Sequence, residues 1–356
     1  MSQPSSFFAC IMAGGSGERF WPMSRAQTPK HLLKLLSERT LVEETIRRLG
    51  EVIPRDNIFV LTNSVQLAGT RAALAGLVAP EQIIAEPAKR DTAPAAALAT
   101  ALVRARGGDR AVLALLPADA FIADSKGFCR QLAAVLPRAS ESGAILTIAI
   151  KPDHAATGFG YLEMGEVQLR GPAGVFRTVK RFVEKPDGAT AQRYLDSGQF
   201  AWNAGMFFWR VGTFLEEAEW QAPELATFVR GFPVGVAEEY IAEKFPALPK
   251  ISVDYAIMEK ARKVETLWAE FDWDDVGLWT ALPKHLQIDG SGNATRGAVV
   301  VSGAVNNIVL SNGRMVALCG VRDLVVVETA DAVLVCHRDA VQDIKQIVQQ
   351  LPPELR

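Results

Sequence analysis

Short, unbroken apolar runs and longer amphipathic stretches take turns through roughly the first 150 residues of the chain. FFACIMA, NIFVLT, QIIAE, AVLALLPAD and AILTIAI have the length and continuous apolarity of strands buried on both faces. LVEETIRRLGEV, the Ala-rich TAPAAALATALVRAR and GFCRQLAAVLPRA read as the helices between them. Buried strands parted by helices predict an α/β fold, Rossmann-like, with a mostly parallel sheet flanked by helices. In such sheets ligands gather at the carboxyl ends of the strands. The glycine-rich turn after FFACIMA and the PAD after LALL both fall at such ends, so a site is expected there.

The pattern loosens from about residue 155 to about 285, where Trp, Phe and Gly are frequent. GFGYLEM, VFRTVKRFVEKP and WNAGMFFWR read as strands, and AQRYLDSG and SVDYAIMEKAR as helices, forming a second lobe that returns to the main sheet. Beyond that, short Val-rich runs are parted by Gly, Asn and Asp turns. They predict a small β domain, a short left-handed β-helix or a barrel-like fold, closed by a helix over 339–350. The expected division is a large unit over 1–288, with halves meeting near 150, and a small one over 289–356.

Composition narrows the function. Of 356 residues, 49% are hydrophobic and 22% charged, as in ordinary globular proteins. A net charge of −2 with no Lys/Arg block excludes a non-specific nucleic-acid binder. Cys10, Cys129, Cys319 and Cys336 are far apart and read as buried small hydrophobes in a reducing compartment. Four scattered histidines offer no zinc constellation. The opening MSQPSSFFACIMAGG has no basic start, and no apolar run approaches about 18 residues. A cytoplasmic protein without a leader or membrane span is expected.

The stretch AGGSGERFWPMSRAQTPKHLL sets a glycine-rich loop beside Arg19, Arg25 and Lys30. It is not a P-loop, because Gly14 lacks the second glycine and the Lys-Ser/Thr pair at the required spacing. It is not a dinucleotide fingerprint either: Phe20 stands where Gly or Ala is needed, and the second strand ends in Leu61-Thr62 without an acid. What remains is a loop whose N–H groups wrap a phosphate chain, with a forked donor in Arg19 and a mobile charge in Lys30.

The same stretch closely resembles the signature of sugar-1-phosphate nucleotidyltransferases, G-G-x-G-x-R-F-x-P followed by P-K. Its Trp-Pro and Ser-Arg resemble one branch, the mannose-1-phosphate guanylyltransferases or GDP-mannose pyrophosphorylases. The resemblance implies the nucleotide-diphospho-sugar transferase fold, with a nucleotide half over about 1–150 and a sugar lobe over about 151–288. It implies GTP along Ala13, Gly14, Gly15, Ser16 and Gly17, the leaving phosphates on Arg19, and the α-phosphate on Lys30.

The resemblance further implies that Asp119, closing LLPAD, and one acid of FDWDDVGLW meet on Mg²⁺, a hard cation suited to carboxylates and phosphate oxygens. Asp272 and Asp274 compete for the second place; Asp275 is favoured because it matches the family's D-V-G. EPAKRDTAPAAALA is similar to the family's nucleobase segment, which puts Glu86 on guanine and Thr92 beside the nucleotide. Asp91 or Thr92 also suits the cap of the following helix. In GFGYLE, FVEKP and WNAGMFFW the resemblance implies that Gly160 admits the hexose, Glu184 and Asn203 bind its hydroxyls, and Lys185 faces its phosphate. ISVDYAIMEKA also matches a family stretch, but reads as core packing without chemistry.

Two departures stand out: His31 where the family commonly has Gln or Pro, and Ala120 where it commonly has His. Some relatives continue into a cupin-like isomerase domain, an activity not expected of a chain ending at Arg356. The expected reaction joins GTP and mannose 1-phosphate into GDP-mannose and pyrophosphate. The alternatives are another hexose 1-phosphate or nucleotide, and a non-catalytic sugar-nucleotide sensor of the same fold. A homodimer contact is assigned to the small β domain.

Overall fold

The computed structural model describes residues 6–235 and 237–356; residues 1–5, the start of the stretch read as lacking a leader, lie outside them. The five strands expected in the first half form as β1 (Phe7–Met12), β2 (Ile58–Asn63), β3 (Ile83–Glu86), β4 (Val112–Pro117) and β5 (Ile145–Ile150). Between them run α1 (Leu41–Leu49), α2 (Leu67–Ala73), α3 (Thr92–Gly107) and α4 (Ser125–Ser142). α1 begins where its sequence predicts, because Thr40 and Glu43 cap each other's backbone N–H reciprocally.

The second lobe contributes β6 (Tyr161–Gly171), β7 (Gly174–Val183), β8 (Phe200–Arg210) and β9 (Val264–Trp268). All nine strands make one sheet in the order β3-β2-β1-β4-β8-β5-β9-β7-β6. β3, β2, β1 and β4 are parallel. β8 enters antiparallel between β4 and β5, so the second lobe does return to the main sheet, through its centre. The β5–β8 register slips between Thr147 and Ala149, and Asn203 sits at that bulge. There its Oδ1 accepts from Thr147 Oγ1 at 2.7 Å and from Gly205 N at 3.2 Å.

Alternation along β1 divides the core. Phe8 and Cys10 face the α3 side, while Ala9 and Ile11 face α1 and α4. The α3 face is thickened by helices Val211–Gln221, Pro223–Gly231 and Glu238–Lys244, which the sequence pattern did not show. SVDYAIMEKAR was expected as one helix, and this is corrected. Only Val253–Ala256 is α-helical, and a 3₁₀ turn (Met258–Lys260) follows a break at Ile257. Groups of this stretch bond to other elements instead of continuing a helix: Val253 N donates to Thr92 Oγ1 and Glu259 Oε1 accepts from Glu184 N.

In the small domain β10 (Ala294–Arg296), β12 (Ile308–Ser311) and β14 (Leu324–Glu328) stack in parallel. β11 (Val299–Ser302) and β13 (Val316–Cys319) stack in parallel as a second sheet, and β15 (Val333–His337) closes antiparallel on β14. Successive short strands laid on separate parallel faces are the arrangement of a β-helix. Buried Asn293 and Asn307 stitch its coils: Asn293 Oδ1 accepts from Asn307 N, and Asn307 Oδ1 accepts from Leu324 N. Helix Ile344–Gln350 follows, within the span expected for a closing helix. The cysteine expectation is half corrected. Cys10 and Cys129 are buried, but Cys319 is exposed and Cys336 half-buried, because β13 and β15 turn alternate residues to solvent.

A third core joins the small domain to the site. Phe20, Trp21, Leu33 and Leu35 pack with Val276 and Trp279 against Ile308, Val325, Ile344 and Val348. Trp279 is fully buried, lies 4.9 Å from the Phe20 ring, and donates its indole N–H to the Trp21 carbonyl at 3.3 Å. Trp279→Ala should cost about 3–5 kcal/mol in denaturant unfolding. A loss under about 1 kcal/mol would show that the junction collapses without cost.

Candidate active site

The Ala13 N–H donates to the Leu61 carbonyl and the Ala13 carbonyl accepts from Thr62 Oγ1, so the chain leaves the sheet only at Gly14. Gly17 then turns with φ of 63°, and a Cβ there would fall 2.5 Å from the Lys30 Cβ. Only glycine lets the loop close on Lys30. Lys30 is 7% exposed; its Nζ donates to Asp119 Oδ2 at 2.8 Å and to the Asp275 carbonyl. One ammonium thus ties the loop after β1, the end of β4 and the loop after β9.

Around it lies a cleft of two connected hollows, about 420 Å³ and about 280 Å³. Gly14, Gly15, Gly17, Lys30, Glu86, Thr92 and Asp119 line the first. Thr92 and Asp119 also line the second, with Gly160, Glu184, Asn203 and Asp275. Four of the expected residues stand apart. Ala13 is buried behind the loop. Ser16 turns to Glu18, its Oγ donating to Glu18 Oε1 at 3.2 Å. Arg19 is half-buried with its Nε lacking a partner. Lys185 is exposed at the rim, its Nζ 2.7 Å from Glu184 Oε1. Arg25 pairs with Asp331 of the small domain at 3.0 Å.

The three acids of FDWDD separate by their partners. Asp272 accepts from Ala123 N and Asp124 N, which anchors the start of α4. Asp274 accepts from Val276 N and sits 2.9 Å from His285 Nε2. Asp275 is left lining the second hollow with Asp119. Burial raises its pKa, Lys30 opposes that, and Asp274 and Asp119 add to it. A half-buried carboxylate crowded by two others suits a divalent cation, and such a cation completes its shell with phosphate oxygens and water. Among the described residues no group of three or more His, Cys, Asp or Glu is arranged to hold a metal. Two carboxylates plus substrate oxygens are the fit this cleft permits.

Glu86, at the end of β3, has its pKa raised to about 7 by burial alone. Asp91 takes the cap of α3, its Oδ1 accepting from Thr92 N at 2.8 Å, while the Thr92 hydroxyl accepts from Val253 N at 2.9 Å. Thr92 is therefore a strut between the two halves. His31 lines the first hollow as a neutral ring; burial and then Lys30 hold its pKa near about 4 against the pull of Asp119. Lys89, Arg90 and Lys250 complete the cationic wall of that hollow, and Asp254 and Trp273 line the second. Sequence reasoning assigned none of these six a role. His31 and Arg90 lie inside motifs already singled out, whereas Asp254 was masked by the apolar spacing around it.

A family model for nucleotidyl transferases matches residues 8–290, and a model for the mannose-P isomerase/GMP-like β-helix domain matches residues 297–351. Mannose-1-phosphate guanylyltransferase of Escherichia coli is 37% identical over 99% of this chain and 75% of its own length. Alginate biosynthesis protein AlgA of Pseudomonas aeruginosa is 36% identical over 97% of this chain and 72% of its own. A Thermus thermophilus structure described as mannose-1-phosphate geranyltransferase superposes with a TM-score of 0.88 at 32% identity, covering 97% of this chain and 99% of that one. The chain belongs to the nucleotidyl transferase family and is an enzyme of that class. Relatives that match nearly the whole of this chain place it in the mannose-1-phosphate guanylyltransferase branch. Among the described residues no helix is long and apolar enough to cross a membrane.

Proposed function

We propose that the chain transfers GMP from GTP to mannose 1-phosphate, giving GDP-mannose and pyrophosphate. The supporting observation is a single cleft whose glycine-loop hollow and acid-lined hollow meet at Asp119, beside Lys30 and Asp275. The triphosphate would lie along the N–H groups of Gly14–Gly17, with Arg19 on the leaving phosphates and Lys30 on the α-phosphate. Glu86 would accept from guanine N1 and its exocyclic amine. The hexose would sit on Gly160, Glu184 and Asn203, with Lys185 swinging from its rim pairing to the sugar phosphate. Asp119 and Asp275 would hold Mg²⁺, which when bound neutralises charge on the phosphate oxygens.

The attacking phosphate oxygen is already anionic, so the chain needs no base and no covalent intermediate. Its residues position the reactants in line and offset the growing charge. The catalytic unit is assigned to 1–288 and the β domain to 289–356. A homodimer through the β domain, which exposes Val300, Met315, Val333 and Val335, belongs to the same reading, as does a cytoplasmic setting that keeps four unpaired thiols reduced.

Pyrophosphate release by the purified protein, with Mg²⁺ and mannose 1-phosphate, tests this across GTP, ATP, UTP and dTTP. Release with GTP alone is expected. Release with another nucleotide would overturn the base assignment, and silence with all four, also with glucose 1-phosphate, would overturn the reaction.

Glu86 sets a pH dependence. Its carboxyl holds a proton up to about pH 7, and only the ionised form accepts from both guanine donors. The KM for GTP should therefore fall as pH rises through about 7. Glu86→Gln should remove that slope and lower kcat/KM for GTP roughly 10- to 100-fold, the worth of a charged hydrogen bond. A slope unchanged in Glu86→Gln would remove Glu86 from the base site.

A further inference from the structure

The stretch ISVDYAIMEKA builds one wall of the second hollow. Val253 N donates to Thr92 Oγ1 at 2.9 Å, Ala93 N donates to the Ile251 carbonyl at 3.1 Å, and Glu184 N donates to Glu259 Oε1 at 3.1 Å. Ser252 caps the turn, its Oγ accepting from Tyr255 N. These bonds fix a half-buried carboxyl, Asp254, on the cleft beside Glu184. Glu184 is fixed from its other side. Lys185 Nζ takes its Oε1, and Gly160 leaves room for its Oε2, which would lie 2.7 Å from any Cβ there.

The lining of this hollow is unusual in its charge. It carries four carboxylates (Asp119, Glu184, Asp254 and Asp275) and no Lys or Arg. Asp119 and Asp275 sit at the Lys30 junction, where phosphate chemistry is placed. Glu184 and Asp254 have no such task. They face a wall that includes Phe159 and Trp273, whose rings meet edge to face at 5.7 Å. Carboxyls beside aromatic faces suit an uncharged polyhydroxylated ring rather than a phosphate.

We infer that Asp254 is a sugar-specificity residue, which with Glu184 binds two neighbouring hydroxyls of the hexose; this rests on the sugar-phosphate reading given above. Burial, and then the neighbouring Glu184, favour the protonated form of Asp254. The pair then offers both acceptors and a donor, which matches a diol, where each hydroxyl gives and takes. Asp254 has its pKa raised to about 7 by burial first and then by Glu184, with Lys185 opposing. Lys185 is the cation that acts on Asp254, and its Nζ lies 2.7 Å from Glu184 Oε1. Lost hydrogen bonds of this kind read out directly in discrimination between hexoses.

Asp254→Ala and the isosteric Asp254→Asn test the inference by steady-state kinetics with both substrates varied. In Asp254→Ala the KM for mannose 1-phosphate should rise roughly 10- to 100-fold, with KM for GTP held within about twofold. The preference for mannose 1-phosphate over glucose 1-phosphate should shrink by a comparable factor. Asp254→Asn, which keeps shape and one donor, should show a smaller rise in the same KM, and it carries the test if the alanine variant fails to fold. Unchanged constants, a parallel rise in both KM values, or a pure kcat loss would each overturn the role. The wild-type control keeps the two readings apart. If it uses a different hexose 1-phosphate, the same split is expected with that sugar. If it uses none, the function proposed above falls and this inference falls with it. A wild type active on mannose 1-phosphate beside unaltered variants sinks only the inference.

Discussion

Lys30→Ala should lower kcat on the order of 10²- to 10³-fold, the loss typical of removing one preorganised donor from developing charge. The side chain is buried, its stem lies against Gly17, and its ammonium reaches both Asp119 and the Asp275 carbonyl. Removing it leaves a carboxylate without its cation beside the already crowded Asp275, whose pKa Lys30 now holds down. Stability should fall as well, so a second variant is needed. Lys30→Met keeps the stem and removes only the charge, and it should lose as much turnover with a smaller drop in melting temperature. If either variant stays within a few-fold of wild type while folded, Lys30 does no more than brace the loop.

Lys30 and Asp119 also show how far the sequence reaches. Asp119 lies where a continuous apolar strand gives way to a polar turn, so the strand-end rule for parallel sheets locates it from the order of residues alone, whereas Lys30 sits in a 3₁₀ turn well beyond the end of β1 and was singled out by its resemblance to the family's P-K. β1, β2, β4 and β5 were legible for the same reason: a strand buried on both faces leaves an uninterrupted apolar signal. Strand order left no such trace. WNAGMFFWR is recognisable as a strand, yet nothing local says that it enters antiparallel between β4 and β5. The spacing of Tyr255, Ile257 and Met258 gave a helix reading. In the structure Tyr255 is exposed and the chain breaks at Ile257. Asp254 went unread because one acid amid apolar residues looks like a solvated position until a neighbouring lobe covers it. The junction core was equally hidden, since Phe20, Trp279 and Ile344 meet only through folding.

Asp275→Asn is predicted to separate function from stability. The substitution preserves shape and removes one charge from the pair proposed above to hold a divalent cation. Loss of that cation's contribution is worth several kcal/mol of transition-state stabilisation, or roughly 10²- to 10³-fold in turnover. Extra Mg²⁺ should not restore the rate, because the missing ligand rather than occupancy limits it. Unfolding without any metal should move the other way. Burial, with Asp274 and Asp119 nearby, makes the ionised Asp275 costly, so the neutral amide should raise unfolding free energy at neutral pH. As pH falls below the raised pKa of Asp275, wild type takes up the same proton and the advantage should vanish. Asp274→Asn serves as the contrast. Its carboxylate bonds to Val276 N and lies against His285, so neutralising it should weaken the loop that carries Asp275. An Asp275→Asn protein that is less stable than wild type and still responds normally to Mg²⁺ would shift the metal-binding role to another acid of FDWDD. Greater stability with turnover lost would mark Asp275 as a residue kept for chemistry at the expense of the fold.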